Sequence, residues 1–341
     1  MNALFIYNPT AGQFSIEREL ARCIDNLVQS GWSADLLLTN GPRNATELAS
    51  KGVAQGRQMV VAVGGDGTVS EVANGLVGSE VILGVIPAGT TNVWALQMNI
   101  PSLPPWHPRR MVDAVLADLE ERGWHRPPGT PSWLSDAFKV LLNSEVRLAD
   151  VGNVNQRNFL LMCGIGFDAV VTGNVERELK RRYGMLAYVA SGLSKAVEFQ
   201  SARMRVVVDG QEFEQEDALM IVAANARLYG GILNIAPRAY LDDGLLDVCM
   251  FMGEGLPTIV RHFGAVLAGR HYEEADVEYL QVESMKVFSD PEQPVHLDDE
   301  VCGETPVDLR VIPRSLRVLV PEKSRTNLFQ QPRIGLLADM L

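Results

Sequence analysis

Short apolar runs alternate with stretches of helical periodicity through the first third of the chain. Ala3–Tyr7, Met59–Val63 and Val81–Ile86 have the composition of buried strands, and Ala34–Leu38 is a further apolar run between two of them. Strands that are apolar along their length and are separated by helices are typical of a parallel sheet covered on both faces. The sequence therefore predicts an α/β N-terminal domain with a parallel sheet.

The second half of the chain has a different pattern. From Glu145 onward, short strand-like runs such as Asn158–Cys163 are separated by Gly, Pro and Asp turns. Two helical stretches, Met185–Phe199 and Gly255–Ala268, interrupt these runs. Many short strands joined by such turns indicate a mainly antiparallel β-sandwich C-terminal domain.

A region rich in proline and tryptophan separates the two halves. Proline clusters break helices and stiffen connections, so we place a domain boundary there. We expect a helix from about Ser132 to Leu142 within this connection. The predicted division is an α/β domain at 1–128, a helical linker or insertion at 129–145, a β-rich domain at 146–323 and a tail at 324–341, whose packing against the first domain is left open.

Composition argues against several classes of protein. The 341-residue chain carries a formal net charge of −12, whereas nucleic-acid binding needs a basic surface, so no nucleic-acid partner is expected. No apolar stretch approaches the roughly 20 residues that a membrane-spanning helix needs. The four cysteines have neither CxxC spacing nor a matching histidine cluster, which predicts ordinary buried thiols in a reducing cytoplasm.

Three strand-to-helix turns of the predicted α/β domain carry glycine. Turns that follow parallel strands lie at one edge of the sheet, so they can converge on one ligand. Glycine lets a ligand approach the main chain, and the N–H groups of a helix N-terminus favour anions such as phosphate. We therefore expect a nucleotide. The three turns are Asn8-Pro9-Thr10-Ala11-Gly12, Gly64-Gly65-Asp66-Gly67-Thr68 and Pro87-Ala88-Gly89-Thr90-Thr91-Asn92.

The two best-known nucleotide motifs are absent from the sequence. It contains neither the glycine-rich loop ending in Gly-Lys and Ser or Thr nor the GxGxxG fingerprint. A phosphate site would then depend on backbone donors and a divalent metal, which Asp66 could hold directly or through water. The simpler alternative is that each turn is only a turn and that Asp66 caps the helix that follows it.

Two predicted helices begin with a capping signature. Asn44 is followed by Glu47, and Thr68 is followed by Glu71, which is the spacing of a capping box. We therefore expect the side chains of Asn44 and Thr68 to cap these two helices.

The three turns, together with the longer stretch Gly64–Gly75, resemble the signature blocks of the diacylglycerol kinase catalytic-domain family. That family includes bacterial soluble lipid kinases, sphingosine kinases and ceramide kinases. The Gly-Gly-Asp-Gly-Thr element is shared with NAD kinases, whereas the continuation to Asn74-Gly75 and the Gly89–Asn92 block favour the lipid-kinase branch.

The resemblance implies a two-domain fold like that of lipid kinases and NAD kinases, with ATP and Mg²⁺ as cofactors. It implies transfer of the γ-phosphate to the hydroxyl group of diacylglycerol or a related long-chain alcohol. The implied nucleotide-binding residues are Asn8, Pro9, Thr10, Gly12, Thr39, Gly64, Gly65, Asp66, Gly67, Thr68, Glu71, Gly89, Thr90 and Asn92.

Two metal sites follow from the same resemblance. The stretch from Asp242 to Asp247 resembles the family's structural magnesium loop. The ligands would be the Asp243 carboxylate and the main-chain carbonyls of Tyr240 and Leu245, and oxygen ligands from a tight turn suit a hard cation. A bare Asp-Asp-Gly hairpin turn is the alternative. For a catalytic Mg²⁺, the resemblance offers Asp66 and Asp150.

The acidic stretch Asp298-Asp299-Glu300 resembles the family's Asp-Gly-Glu element, which supplies the general base. The resemblance assigns this role to Glu300, with Asp298 as its close partner or substitute, although Asp299 replaces the central glycine. Phosphoryl transfer to an alcohol needs a group that accepts the hydroxyl proton. Without the resemblance, a solvated hairpin turn would be the expected interpretation.

One position departs from the family pattern. Many members have Asp after the Asn of the third block, and this chain has Val93. If that Asp helps to hold the catalytic metal, this protein must use Asp66, Asp150 or water instead, or be less active.

Access to a lipid acceptor would need attraction to a membrane face. Lys180, Arg181 and Arg182 form a basic cluster beside an apolar helical stretch, and such a patch can bind anionic lipid headgroups. A solvated basic helix end is equally compatible with the sequence. We thus expect a cytoplasmic protein that is peripheral at the inner membrane face and takes a lipid substrate there, and a homodimer is left open. The alternatives are a kinase for a soluble acceptor such as NAD, and a catalytically weak nucleotide- or lipid-binding regulator.

Overall fold

The computed structural model describes residues 1–12, 15–102, 132–174, 199, 201–231, 233–322 and 327–337, with the backbone alone at 215 and 216. The chain divides into two compact units. Met1–Ala149 and Arg314–Leu341 form the first unit, and Asp150–Pro313 forms the second. The sequence placed its boundaries at residues 128, 145 and 323 instead.

The first unit begins with four strands that alternate with helices, as the sequence predicts. Two longer strands, β5 (Ser144–Val154) and β17 (Val307–Pro321), contribute residues to both units. The other elements of the first unit are β1 (Asn2–Tyr7), α1 (Glu17–Gln29), β2 (Ser33–Leu38), α2 (Asn44–Ala54), β3 (Met59–Gly64), α3 (Asp66–Leu76), β4 (Ile82–Pro87), α4 (Val93–Met98), α5 (Ser132–Leu142) and β18 (Gly335–Leu336).

The sheet of the first unit has the order β17-β4-β3-β1-β2, and these pairs are parallel. Alternate residues of β1 and β3 point to opposite faces. Phe5 and Val61 share a buried cluster with α1 and α5, where Phe5 stacks on Phe138 with ring centroids 5.8 Å apart. Leu4 and Val60 contact Gly52 of α2 on the other face. The predicted parallel sheet with helices on both faces is confirmed.

The second unit is rich in strands and has two helices and one short 3-10 helix among its described residues. The predicted strand Asn158–Cys163 is wrong in one respect, because the chain forms two separate strands there. The elements are β6 (Arg157–Phe159), β7 (Met162–Gly166), α6 (Phe167–Asn174), β8 (Ala202–Val208), β9 (Gln211–Ala224), β10 (Leu228–Tyr229), β11 (Leu233–Asn234), β12 (Leu246–Met252), α7 (Gly255–Leu267), the 3-10 helix (His271–Glu273), β13 (Val277–Val282), β14 (Ser284–Asp290), β15 (Pro294–Leu297) and β16 (Glu300–Glu304).

The strands of the second unit pair in the antiparallel sense, which confirms the predicted sandwich. One run has the order β16-β15-β7-β9-β8-β14-β17. The 14-residue strand β9 also pairs with β12, which in turn pairs with β13. Their inward side chains form one apolar cluster that includes Ile165, Val206, Val248 and Leu309.

Two predictions about helices depend on which residues the structure describes. The predicted helix Met185–Phe199 lies outside the described residues except for Phe199. Within the described ranges, no helix is long and apolar enough to cross a membrane.

Candidate active site

The three glycine-bearing turns lie together at the carboxyl edge of the parallel sheet. The Asn8 side-chain amide of the first turn donates a hydrogen bond to Thr68 Oγ1 of the second, at 3.1 Å. The first turn also lies against the third, because a Cβ added to Gly12 would come 2.3 Å from the Ala88 carbonyl oxygen. The sequence therefore located correctly which turns meet.

Packing between the turns explains most of their glycines. A Cβ at Gly89 would lie 2.4 Å from Gly65 Cα, and one at Gly64 would lie 2.4 Å from Thr68 Oγ1. Real Cβ atoms do not approach other heavy atoms this closely, so these positions exclude a side chain. Gly67 is different, because it is exposed and a Cβ there would have no other heavy atom within 4 Å. Packing within the chain therefore leaves the glycine at position 67 unexplained.

Asp66 ties the second turn to the third. Its Oδ2 accepts a hydrogen bond from the Val93 N–H at 2.9 Å, and its Oδ1 accepts one from the Trp94 N–H at 3.0 Å. The carboxylate therefore caps α4, whereas the simpler alternative from the sequence was a cap on α3. Negative charge at a helix N-terminus is stabilising, and here it comes from a different part of the chain.

The third turn is held by its own asparagine. Asn92 has a left-handed backbone, with φ of 55°. Its side chain accepts the Gly89 N–H at 2.9 Å and donates to the Gly89 carbonyl at 2.8 Å. The next residue, Val93, buries its side chain while its N–H points to Asp66. The position that departs from the family pattern thus contributes its backbone to this turn.

The two predicted capping boxes are wrong. Helix α2 has no side-chain cap from Asn44; instead, the Glu71 carboxylate of α3 accepts the Arg43 N–H at 3.0 Å and the Ala45 N–H at 3.1 Å. Helix α3 begins at Asp66, so Thr68 lies inside its first turn. The contact of Glu71 with α2 joins distant segments, which local spacing does not reveal.

The remaining residues of the predicted nucleotide set lie in or beside the turns. Thr10 donates from its N–H and its hydroxyl group to Asn8 Oδ1, at 3.0 and 2.8 Å. The Thr39 N–H donates to the Tyr7 carbonyl at the end of β1. Pro9 is exposed and Thr90 is half-buried. Their binding roles stay predictions.

In the second unit, the predicted base lies at the tip of a hairpin. Strands β15 and β16 are joined by Asp298 and Asp299, both with left-handed backbones, φ of 45° and 72°. Two left-handed residues are the signature of a type I′ turn, whose second position favours glycine. Glu300 opens β16 with its side chain 71% exposed, and it forms an ion pair with Arg157 at 3.1 Å.

Asp298 has a different environment from Glu300. Only 8% of Asp298 is exposed. Its carboxylate accepts hydrogen bonds from the N–H groups of Leu160 and Leu161, both at 2.8 Å, and of Met162 at 3.1 Å. These contacts anchor the hairpin to the start of β7.

A buried pair beside this hairpin was missed by the sequence analysis. His296 Nε2 lies 2.8 Å from Asp168 Oδ2, and the Tyr229 hydroxyl donates to the other oxygen of the same carboxylate. Burial opposes protonation of His296, yet the charge and hydrogen bond of Asp168 outweigh it, so the pKa of His296 is raised. Asp168 and His296 are 128 residues apart, and no local pattern could have paired them.

The predicted structural metal loop is closed by hydrogen bonds. Asp243 Oδ1 accepts the Leu245 N–H at 3.1 Å, and the buried Asp150 accepts the Gly244 N–H at 2.6 Å. Burial raises the pKa of Asp243. Among the described residues, no cluster of three or more His, Cys, Asp or Glu side chains could hold a metal. The ligand set with Tyr240 therefore stays a prediction, and Lys180, Arg181 and Arg182 lie outside the described residues.

Known proteins resemble both parts of the chain. Residues 2–120 match the family model described as the diacylglycerol kinase catalytic domain, and residues 162–320 match that described as the YegS C-terminal NAD kinase beta sandwich-like domain. The diacylglycerol kinase of Bacillus subtilis is 27% identical over 328 residues, covering 96% of this chain and 98% of the relative. That of Mycobacterium tuberculosis H37Rv is 26% identical over 319 residues, covering 92% and 93%. In fold, the chain is similar to a putative diacylglycerol kinase from Bacillus anthracis, with a TM-score of 0.73 at 23% identity, covering 95% of this chain and 98% of that one.

Substitution of the packed glycine should be costly, whereas substitution of the open one should not. Gly89→Ala places a Cβ 2.4 Å from Gly65 Cα, so we expect the free energy of unfolding to fall by about 1–3 kcal/mol. Gly67→Ala is the matched control and should be neutral or stabilising by up to about 1 kcal/mol, because alanine favours helix. Urea unfolding of both variants checks this. Equal stability would contradict the packing of the turns.

Removal of the two hairpin carboxylates should have unequal effects. Asp298→Ala leaves three buried N–H groups without their acceptor, so we expect a loss of at least about 2 kcal/mol in the free energy of unfolding. Glu300→Ala removes one exposed ion pair and should change it by about 0.5 kcal/mol or less. Thermal and urea unfolding measure both. A stable Asp298→Ala variant would show that Asp298 is no anchor.

Proposed function

Because the chain belongs to the diacylglycerol kinase catalytic-domain family, we propose that it transfers the γ-phosphate of ATP to the hydroxyl group of diacylglycerol or a related long-chain lipid alcohol. Membership makes it a phosphotransferase with an alcohol as acceptor. The ATP donor and the lipid acceptor are the proposed part. The observation that carries the proposal is the open space at Gly67, where α3 begins among three interlocked turns.

That space suits a phosphate chain. The first N–H groups of a helix have no partner within the helix, and the helix dipole attracts anions to this end. Gly67 lies in the first turn of the 11-residue helix α3 and adds no side chain. A phosphate could therefore approach the main chain of α3 directly. The glycines at 64, 65 and 89 support this arrangement by letting the turns pack against one another.

Asp66 is suited to bind a metal ion that enters the site together with the nucleotide. Among the three turns, Asp66 carries the only carboxylate. Mg²⁺ bound to nucleotides takes one or two carboxylates together with phosphate oxygens and water, so a single carboxylate is sufficient. Each carboxylate oxygen can accept more than one contact, so the bonds to Val93 and Trp94 do not exclude this role. When bound, the ion would offset the charge of the phosphates.

The two candidate bases of the β15–β16 hairpin differ in burial. Asp298 is buried and accepts three N–H groups, which favours an anchor. Glu300 is exposed at the hairpin tip, where its carboxylate can meet a substrate. We therefore assign the base role to Glu300. It would accept the proton of the acceptor hydroxyl as that oxygen bonds to the γ-phosphorus and the bond to the bridging oxygen of ADP breaks.

A lipid acceptor also requires contact with a membrane surface, and α7 offers a suitable face. Leu256, Val260, Phe263 and Leu267 recur at helical spacing and are each 37–56% exposed. Helix α7 contains no Asp or Glu, and its one arginine, Arg261, forms ion pairs with Glu274 at 2.9 Å and with Asp276. An apolar stripe on a helix without acidic residues is suited to the interface of a lipid bilayer. We propose that this face rests on the membrane, at the cytoplasmic side.

Kinase activity should depend on Glu300 but not on a second exposed glutamate of the same strand. Purified full-length protein is incubated with radiolabelled ATP, Mg²⁺ and diacylglycerol in mixed micelles. We expect labelled lipid from the wild type and a fall in kcat of about 100-fold or more in Glu300→Gln, because a general base contributes about that factor. Glu304→Gln is the matched control and should retain full activity.

Two outcomes would overturn this proposal. In the same assay with NAD added, label that appears only on NAD would identify a kinase for a soluble acceptor. ATP binding without transfer to any lipid would identify a regulator, in line with the loss of the family Asp at Val93.

Membrane binding should depend on the exposed face of α7. Val260→Asp places a charge in the middle of the stripe, so we expect weaker co-sedimentation with vesicles of phosphatidylglycerol and diacylglycerol, with kcat on a soluble short-chain acceptor unchanged. Leu37→Asp is the control, since Leu37 is 40% exposed on β2 of the other unit. Equal vesicle binding by Val260→Asp and the wild type would exclude this face as the contact.

A further inference from the structure

We propose that the buried pair of Asp168 and His296 is a positioning pair, which holds the hairpin β15–β16 in the conformation that presents Glu300. The inference rests on the proposed role of Glu300 in the reaction. Neither residue of the pair is assigned any contact with the substrate. Their effect is transmitted through the part of β15 that leads from His296 to the turn before Glu300.

The fold makes room for this pair at one glycine. A Cβ at Gly164 of β7 would lie 2.0 Å from Asp168 Oδ2 and 2.2 Å from His296 Nε2. Gly164 is paired with His296 across the two strands, so the carboxylate and the imidazole occupy the space above that glycine. Asp168 comes from the first turn of α6, which packs against both strands of the hairpin.

The hairpin depends on such contacts because only one of its strands is buried. In β15, Val295 and Leu297 enter the apolar core of the sandwich, whereas His296 points to the opposite face. In β16, by contrast, Cys302 is half-buried and the other four residues are exposed. His296 is therefore the polar contact that fixes β15 from the α6 side, while Asp298 fixes the turn itself.

The charges around His296 favour its protonated form. Asp168 faces it from α6, with the Tyr229 hydroxyl of β10 on the same carboxylate, Asp298 and Asp299 lie in the adjoining turn, and Cys163 lies on β7. Burial disfavours the imidazolium, but these carboxylates raise the pKa of His296 above its usual value. The charge-assisted hydrogen bond is thus fully formed below the usual pKa and weakens as pH rises through the raised one.

A buried ion pair gives little net stability, because desolvation offsets much of the attraction. Its main effect here is geometric: it selects one arrangement of β15 against α6. A general base acts only within hydrogen-bond reach of the proton that it accepts, and a misplacement of about 1 Å can cost about 100-fold in rate. Loss of the pair should therefore lower kcat while leaving the KM values for ATP and lipid nearly unchanged.

The test compares two buried histidines of the same unit. His296→Gln keeps a hydrogen-bonding side chain but removes the charge. His271→Gln is the matched control, since His271 is also fully buried and its Nε2 lies 2.8 Å from the Ile235 carbonyl. We expect kcat to fall between about 10- and 100-fold in His296→Gln, with KM within about twofold, and to stay near wild type in His271→Gln. The basic limb of the wild-type pH–rate profile that reports His296 should be missing from His296→Gln.

Amide hydrogen exchange provides a readout that needs no kinase activity. In the wild type, protection of the amides at residues 297–304 should fall as pH rises through the pKa of His296, after correction for intrinsic exchange. In His296→Gln and Asp168→Asn it should be low at every pH. Inactive wild-type protein with this protection pattern would refute the proposed function alone. Hairpin protection that is independent of pH, or a kcat for His296→Gln no lower than for His271→Gln, would overturn the positioning role.

Discussion

The contact between Gly65 and Gly89 sets the geometry of the sheet edge where the three glycine-bearing turns meet. Because neither residue has a side chain, two strand-to-helix turns can pack backbone against backbone. The Asp66 carboxylate completes the joint by accepting the N–H groups at the start of α4. Gly65 and Asp66 are therefore adjacent in the sequence for two reasons. Gly65 lets the second turn pack on the third, and Asp66 caps the helix that follows the third turn. What remains open is the first turn of α3.

The β15–β16 hairpin of the second unit is held by polar side chains instead of by packed glycines. Its turn uses two left-handed aspartates where a glycine would suit the second position better. Asp298 offsets this by accepting three backbone N–H groups, and His296, two residues earlier, contacts the Asp168 carboxylate. The exposed Glu300 therefore follows a turn that is anchored by the buried side chains of His296 and Asp298. Two carboxylates of one hairpin therefore differ in environment, since Asp298 is buried and Glu300 is exposed.

The sequence predicted the fold more completely than the site. Apolar runs and glycine turns identified the parallel sheet, the antiparallel unit and the three turns that meet, because each depends on local periodicity. The predicted cap on α3 was wrong because that helix begins two residues earlier, at Asp66. The predicted cap on α2 was wrong because Glu71 accepts its first N–H groups from a distant segment, and spacing along the chain carries no such information. The pair of Asp168 and His296 was missed for the same reason. Asp298 and Glu300 differ in burial, which their shared acidic character concealed.

We propose that phosphates bind at the open start of α3. Amide hydrogen exchange with and without ATP and Mg²⁺ tests this most directly, because a phosphate bound in the open space at Gly67 would accept a hydrogen bond from the main chain there and slow its exchange. We expect ATP to protect the Gly67 amide, with smaller changes at residues 89–92. ATP binding that leaves the exchange rate of the Gly67 amide unchanged would contradict phosphate binding at the start of α3.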